Sequence, residues 1–437
     1  MTSDTGVNGE SAAAPSLRTG GRSVAAPGFG AIDFKSLPSN TQEEYLSLSA
    51  EDGGVSRAVL YTRGQEKTVV YFMHPRADMH KHYAMSGLLA AGFATFGHNS
   101  RWLNNDIACI HEVLLLDIAA GVRALRDRGF ERIVLVGNSG GGSLMTFYQA
   151  QASLKPPGRL AQTPAGDPPD LNRYHLPVAD ALILLAAHPG QGKFLLDCID
   201  PSVVDEGDML ATDVSLDMYD PINGFRELPE QSRYSPEFLA LYRAGQSARV
   251  ARLDAIAESR IAAQNHYKEL MSEPEFLRGS EKARQFILRR ATAVELMTIY
   301  RTDANPASCD LSLSPSKRDI GSIIGPRPDI ANYSSGGFAG VVTPRAWLST
   351  WSGHRSRASV HDNIAGIAEP TLIVNYTGDG GIFPDQLEAI LSRSRAADKS
   401  IVHVDGDHYG LPIKVAPDVD ARAEAQKVMA AWLTERF

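Results

Sequence analysis

A chain of 437 residues, 43% hydrophobic and 22% charged, is ordinary for a globular protein and long enough for one large or two moderate cores. Its formal net charge of −8 argues against nucleic acid or an anionic membrane surface as a partner. No stretch reaches the roughly 18 unbroken apolar residues of a membrane span, and no basic-then-apolar leader is read at the start.

Residues 1–30 are rich in Ser, Gly, Ala and Thr and are expected to be disordered or extended, having little apolar surface to offset chain entropy. Arg57 to Thr62 and Thr68 to Met73 read as two strands split by a turn at Arg63-Gly64-Gln65-Glu66, a hairpin-like opening. His74-Pro75-Arg76 closes the second strand. Helical spacing follows over Tyr83 to Ala91, then a short strand over Phe93 to Phe96 that ends in Gly97-His98-Asn99. Ile110, Val113, Leu114, Ile118, Val122 and Leu125 share one face of a long helix over Ile107 to Arg128. Ile133 to Val136 is a β-branched run leading into Gly137-Asn138-Ser139-Gly140-Gly141, and a helix is expected from Gly140 to Ala152.

After a Pro- and Gly-rich loop over 154–178, Ala179 to Ala187 reads as a buried strand ending in His188. The region 193–365 offers no convincing buried strand. Ser235-Pro236-Glu237 has the capping serine, first-turn proline and acid of a helix start, running to about Gln264. Ser280-Glu281 opens a second helix carrying Phe286, Ile287, Ala291, Val294, Leu296, Met297 and Tyr300. Sheet pattern returns over Pro370 to Tyr376, followed by Thr377-Gly378-Asp379, a helix from Pro384, and a strand over Ser400 to Val404. Asp405-Gly406-Asp407-His408 and a last helix over Val419 to Glu435 complete the chain. Strands alternating with helices imply an α/β fold, a mostly parallel twisted sheet with helices on both faces.

The chemistry centres on Ser139. A Gly-x-Ser-x-Gly turn between a strand and a helix lifts a serine hydroxyl above the end of a sheet. The five-residue pattern alone is common by chance; the flanking strand and helix give it weight. A serine needs a base to take its proton and a third group to orient that base. Asp379 and His408 follow later strands, giving the chain order Ser, Asp, His. His403 competes as base and Asp197 and Asp200 as acid, while Asp385 and Asp407 lie at a helix start and against the base.

These residues resemble the α/β-hydrolase fold superfamily over a core of 45–192 and 366–437, with a mainly helical cap, 193–365, inserted after the sixth strand. The resemblance implies a serine hydrolase with Ser139, Asp379 and His408 as its triad. It departs at the oxyanion loop, where the family often has His-Gly-x and this chain has His74-Pro75-Arg76. Proline has no N–H, so the backbone N–H of Arg76, paired with that of Gly140, is the expected oxyanion hole.

His74, His98, Asn99 and His188 follow strand ends on the rim of Ser139 and are candidate substrate-binding residues. Asp78, His80 and His82 invite a metal reading, but no further ligand stands at zinc spacing, and neither metal nor cofactor is expected. Cys109, Cys198 and Cys309 form no disulfide framework and suit a reducing, cytoplasmic setting as buried thiols. The expected activity is cleavage of a carboxylic ester of a fairly bulky small molecule through an acyl-enzyme. Carbon–carbon bond, amide, carbamate and thioester hydrolysis share the apparatus, and a non-catalytic binding protein on the same fold is the rival of another class. The cap helices' apolar faces suit either the core or a second subunit, which leaves a homo-oligomer open.

Overall fold

The structure, a computed structural model, describes residues 37–105 and 107–437. The opening segment expected to be disordered, residues 1–30, lies outside the described residues.

Eight strands form one sheet: β1 (Gln42–Ser49), β2 (Val55–Thr62), β3 (Thr68–His74), β4 (Ala94–Asn99), β5 (Arg132–Asn138), β6 (Ala181–Leu185), β7 (Thr371–Tyr376) and β8 (Lys399–Val404). Their order is β1-β2-β4-β3-β5-β6-β7-β8. β1–β2 and β2–β4 are antiparallel and every later pair is parallel. Every residue of β3, β6 and β7 is buried, the signature of parallel strands covered on both faces. The covering helices are α1 (Met85–Ala90), α2 (His111–Asp127) and α3 (Gly140–Ser153), with two more after the insertion described next.

Between β6 and β7 runs a largely helical insertion. α4 (Gln191–Cys198) leads into it, α5 (Pro236–Ser272) is its longest helix, and α6 (Glu281–Thr292) packs on α5. After β7 come α7 (Pro384–Arg393) and α8 (Ala421–Thr434), the latter packed against α1 and β7. A mostly parallel sheet flanked by helices, with a helical insertion after the sixth strand, is the α/β-hydrolase architecture with a cap. The insertion has its own apolar cluster, built on Phe194, Phe338, Trp347 and Trp351, beside the main core under the sheet.

Four local expectations need correction. β2 and β3 do not form a hairpin: the buried strand β4 lies between them, and β2 uses its other edge for β1. β1 itself escaped the sequence reading because Leu48 is its only buried residue, leaving no apolar alternation to see. α5 runs past Gln264 to Ser272 and stops where Pro274 forces Glu273 out of the helical region, at φ −77° and ψ 142°. α6 ends at Thr292, so Val294 to Tyr300 are not helical; Met297–Thr298 instead pairs with Val341–Val342 in a two-residue ladder. That ladder, and another between Val203–Asp205 and Asp208–Thr212, are short, mostly exposed strands in a region that offers no convincing buried strand in the sequence. They are too short and too exposed to leave an apolar period.

Candidate active site

Ser139 stands between β5 and α3 with φ 52° and ψ −122°, a conformation that costs a non-glycine residue about 1–3 kcal/mol. Neighbouring bonds hold it there. The Ser139 N–H donates to the carbonyls of Leu185 and Ala186, at 3.1 Å each. The Asn138 side chain donates through Nδ2 to the Leu185 carbonyl at 2.8 Å and accepts through Oδ1 from His82 Nε2 at 3.2 Å. His82 Nδ1 in turn accepts the Ala84 N–H, which fixes the ring as the Nε2–H tautomer. Burial between Phe72 and Tyr83 pushes this imidazole down to about 3, so it stays neutral.

The glycines of the elbow have steric reasons. A β-carbon at Gly137 would lie 2.4 Å from the Gly142 Cα, and one at Gly141 would lie 2.5 Å from the Met73 carbonyl oxygen. Strand, elbow and helix therefore meet backbone to backbone.

Asp379 and His408 arrive from the carboxyl ends of β7 and β8. His408 Nε2 lies 3.0 Å from Ser139 Oγ, and His408 Nδ1 lies 2.7 Å from Asp379 Oδ2. The other carboxylate oxygen, Oδ1, accepts the N–H groups of Gly381 and Ile382 at 2.8 and 3.1 Å. Asp379 is thus fixed on both sides and leaves Oδ2 for the imidazole. Asp407 Oδ1 accepts from Tyr409 and Leu411 N–H and shapes the turn that presents His408. All three side chains are buried, with Ser139 the most accessible at 6%.

The rival residues lie elsewhere. Asp200 pairs with Arg301 at 2.7 Å inside the insertion, and Asp197 accepts from Gln386. Asp385 accepts from Ser314, and His403 lies on β8 beside Asn375.

The two backbone N–H groups expected to form the oxyanion hole differ in their surroundings. Gly140 is the first residue of α3, so its N–H has no acceptor within the helix. The Arg76 N–H, however, donates to His74 Nδ1 at 3.1 Å, alongside the Ala77 N–H at 2.9 Å. The proline-containing loop curls back onto the ring of its own first residue. The Arg76 guanidinium reaches the insertion instead, 5.8 Å from the Phe338 ring centre and 5.5 Å from that of Trp351.

Of the four candidate substrate-binding residues, two meet the elbow. A β-carbon at Gly140 would lie 2.9 Å from His74 Nε2 and 3.4 Å from His188 Nε2. His98 and Asn99 belong to the wall. β4 extends through them, and His98 is held by Tyr71 Oη and Ser56 Oγ at 2.5 and 2.7 Å. Asn99 accepts the Met79 N–H and donates to Asp78. Asp78 and His80 stay together, with His80 Nδ1 3.9 Å from Asp78 Oδ1 and Nε2 at the Arg57 carbonyl, while His82 turns away to Asn138. Among the described residues no group of three His, Cys, Asp or Glu side chains could hold a metal ion. The three cysteines are buried.

Sequence reasoning missed how the insertion meets the site. The π-helical turn Trp347–Trp351 docks on the start of α2. Ser349 Oγ accepts the His111 N–H and donates to Glu112 Oε2, and Thr350 Oγ1 donates to the Cys109 carbonyl. His111 Nε2 lies 2.8 Å from Gln191 Oε1, and Gln191 lies against Gly140. Contacts between residues some 240 positions apart leave no periodic trace in either segment.

No protein-family model and no curated protein sequence matches the chain. Among solved structures it is similar to DcsB, solved with its substrate analogue, at 10% identity and a TM-score of 0.48, covering 91% of this chain and 100% of that one. Est1E of Butyrivibrio proteoclasticus gives 10% and 0.44, covering 90% and 98%. Carboxyl esterase 2 of the fungus Tuber melanosporum gives 14% and 0.41, covering 97% and 92%. Likenesses this distant assign no activity to this chain. No helix among the described residues is long and apolar enough to cross a membrane.

Proposed function

We propose that this protein is a serine hydrolase that cleaves a carboxylic ester of a fairly bulky small molecule through an acyl-enzyme. The observation that carries the reading is the continuous hydrogen-bonded line Ser139 Oγ, His408, Asp379, at 3.0 and 2.7 Å, on a strained elbow. In this mechanism His408 Nε2 takes the hydroxyl proton as Ser139 Oγ bonds to the ester carbonyl carbon. Asp379 stabilises the imidazolium through Nδ1–H. The C–O bond to the alcohol then breaks and His408 returns the proton to the leaving oxygen. Water, deprotonated by His408, then attacks the acyl carbon; the bond to Ser139 Oγ breaks as His408 returns the proton to that oxygen, and the acid is released.

An ester is favoured within this chemistry because its leaving group makes the least demand on the general acid. The insertion, which brings Phe338 and Trp351 to the side chain of Arg76, two residues after His74, favours a substrate with apolar bulk. The same reading divides the chain into a core over 45–192 and 366–437 and a cap over 193–365.

The test is labelling by a fluorophosphonate together with turnover on a panel of p-nitrophenyl esters. Wild type is expected to label once and to hydrolyse, and Ser139→Ala to lose both. His408→Ala should lower turnover on the order of 10⁴- to 10⁶-fold. A Ser139→Ala protein that retains turnover, or a wild type that neither labels nor hydrolyses, would sink the mechanism and leave the binding-protein reading.

A further inference from the structure

The Arg76 N–H donates to His74 Nδ1, so the backbone donor that should face the Gly140 N–H is already engaged. The same bond has a second consequence. With Nδ1 accepting from both Arg76 and Ala77, the proton of the neutral His74 ring must sit on Nε2. His188 is arranged alike: its Nδ1 accepts the Gly190 N–H at 3.2 Å, which again leaves Nε2 as the N–H. Burial, above all, pushes His188 down to about 3 and keeps it neutral.

Both Nε2 atoms converge on the residue after the nucleophile. Gly140 has no side chain, and the room a β-carbon would take is the room these two rings approach, at 2.9 and 3.4 Å. Any other residue at 140 would push the His74 ring away. The rings come from the ends of two strands that flank β5, β3 for His74 and the segment after β6 for His188.

We propose that the oxyanion hole of this protein is completed by a side chain: the His74 Nε2–H, with the His188 Nε2–H beside it, joins the Gly140 N–H in binding the oxyanion. The proposal rests on the serine-hydrolase reading above. It replaces a backbone donor by neutral imidazole donors fixed in one tautomer, in a buried site where such donors act strongly on developing charge.

Two substitutions separate the donor from the scaffold. In His74→Asn the amide oxygen can stand where Nδ1 stood and keep the Arg76 and Ala77 bonds, while the Nε2–H is deleted. In His74→Gln the amide N–H can reach the Nε2 position. Kinetics on a p-nitrophenyl ester are paired with inhibition by a trifluoromethyl ketone, whose adduct on Ser139 carries the oxyanion. His74→Asn is expected to lower kcat about 10²- to 10³-fold with little change in KM, the loss known for one oxyanion donor. The ketone inhibition constant should rise by a comparable factor, and His74→Gln should recover at least about tenfold of the loss in both. His188→Phe should cost less, about tenfold, since its ring stands further from Gly140.

Fluorophosphonate labelling of wild type comes first; a wild type that neither labels nor turns over refutes the hydrolase reading itself. With that reading intact, a His74→Asn protein within about threefold of wild type in both kcat and ketone affinity overturns the histidine donor. A fall in kcat with unchanged ketone affinity overturns it too, because a merely structural role would produce that pattern. Should His74→Asn fail to fold, histidine-ring ¹H–¹⁵N spectra of the wild type decide. The ketone adduct should move Nε2–H protons downfield in addition to the His408 Nδ1–H, and their constancy would refute the proposal.

Discussion

Asp379→Asn offers the sharpest test of the proposed triad because the structure separates the two oxygens of that carboxylate. Oδ1 accepts from Gly381 and Ile382, and an amide oxygen can take over both bonds. The amide nitrogen then replaces Oδ2, 2.7 Å from His408 Nδ1. An NH2 group can only donate there, so Nδ1 must become the acceptor and the imidazole proton moves to Nε2, facing Ser139 Oγ. A base that already carries its proton on that nitrogen cannot take another from serine. Loss of the imidazolium partner and the wrong tautomer together predict a fall in kcat of about 10⁴-fold near pH 7. The fold should survive, since the loop bonds are kept.

Asp379→Ala is the control with the opposite balance. It leaves the N–H groups of Gly381 and Ile382 without their buried acceptor, at about 1–3 kcal/mol each, so its melting temperature should fall as well as its activity. The assay is ester turnover at saturating substrate beside a thermal melt of each variant. An Asp379→Asn protein within about tenfold of wild-type kcat would refute the reasoning and return the acid role to another carboxylate.

Three further outcomes are expected. His82, His98 and His188 are pushed down to about 3 and His111 to about 4 by burial, whereas an unfolded histidine titrates near 6.5. Between those values the unfolded chain binds protons that the folded one refuses. Stability is therefore full above pH 6.5 and falls as the pH drops, by up to about 1.4 kcal/mol per pH unit for each ring. Melting curves from pH 7.5 to pH 5 should show the decline, and a flat profile would contradict it. Gly137→Ala, whose methyl would press on the Gly142 backbone, should destabilise by about 3 kcal/mol or prevent folding, read by denaturant titration. His82→Phe keeps the aromatic packing but leaves Asn138 Oδ1 without its donor; we expect a loss of about 1–3 kcal/mol in stability together with a reduced rate of fluorophosphonate labelling at Ser139. Unchanged labelling would show that the elbow does not depend on this bond.

The sheet and the elbow were legible because their signals are local. Ile133 to Val136 and Thr371 to Tyr376 are apolar runs whose burial on both faces follows from composition alone. Gly137 and Gly141 mark a turn that only small residues allow, and Asp379 and His408 follow strands whose ends must share one rim. β1 was not legible, since an edge strand with one buried residue carries no apolar period. The end of α6 was misread because Met297 finds a ladder partner in Val342, a pairing that overrides helical spacing.

The sequence by itself determined the fold class, the place of the candidate nucleophile and the order of the candidate triad, because strand, helix and tight turn each answer to neighbours within a few residues. Only the tertiary structure decided which side chains turn toward Ser139. It sent His98 and Asn99 into the wall, engaged the Arg76 N–H with His74, and brought the His74 and His188 rings to Gly140. Those outcomes depend on ring tautomers and loop closure, set by bonds that no periodicity in the chain records.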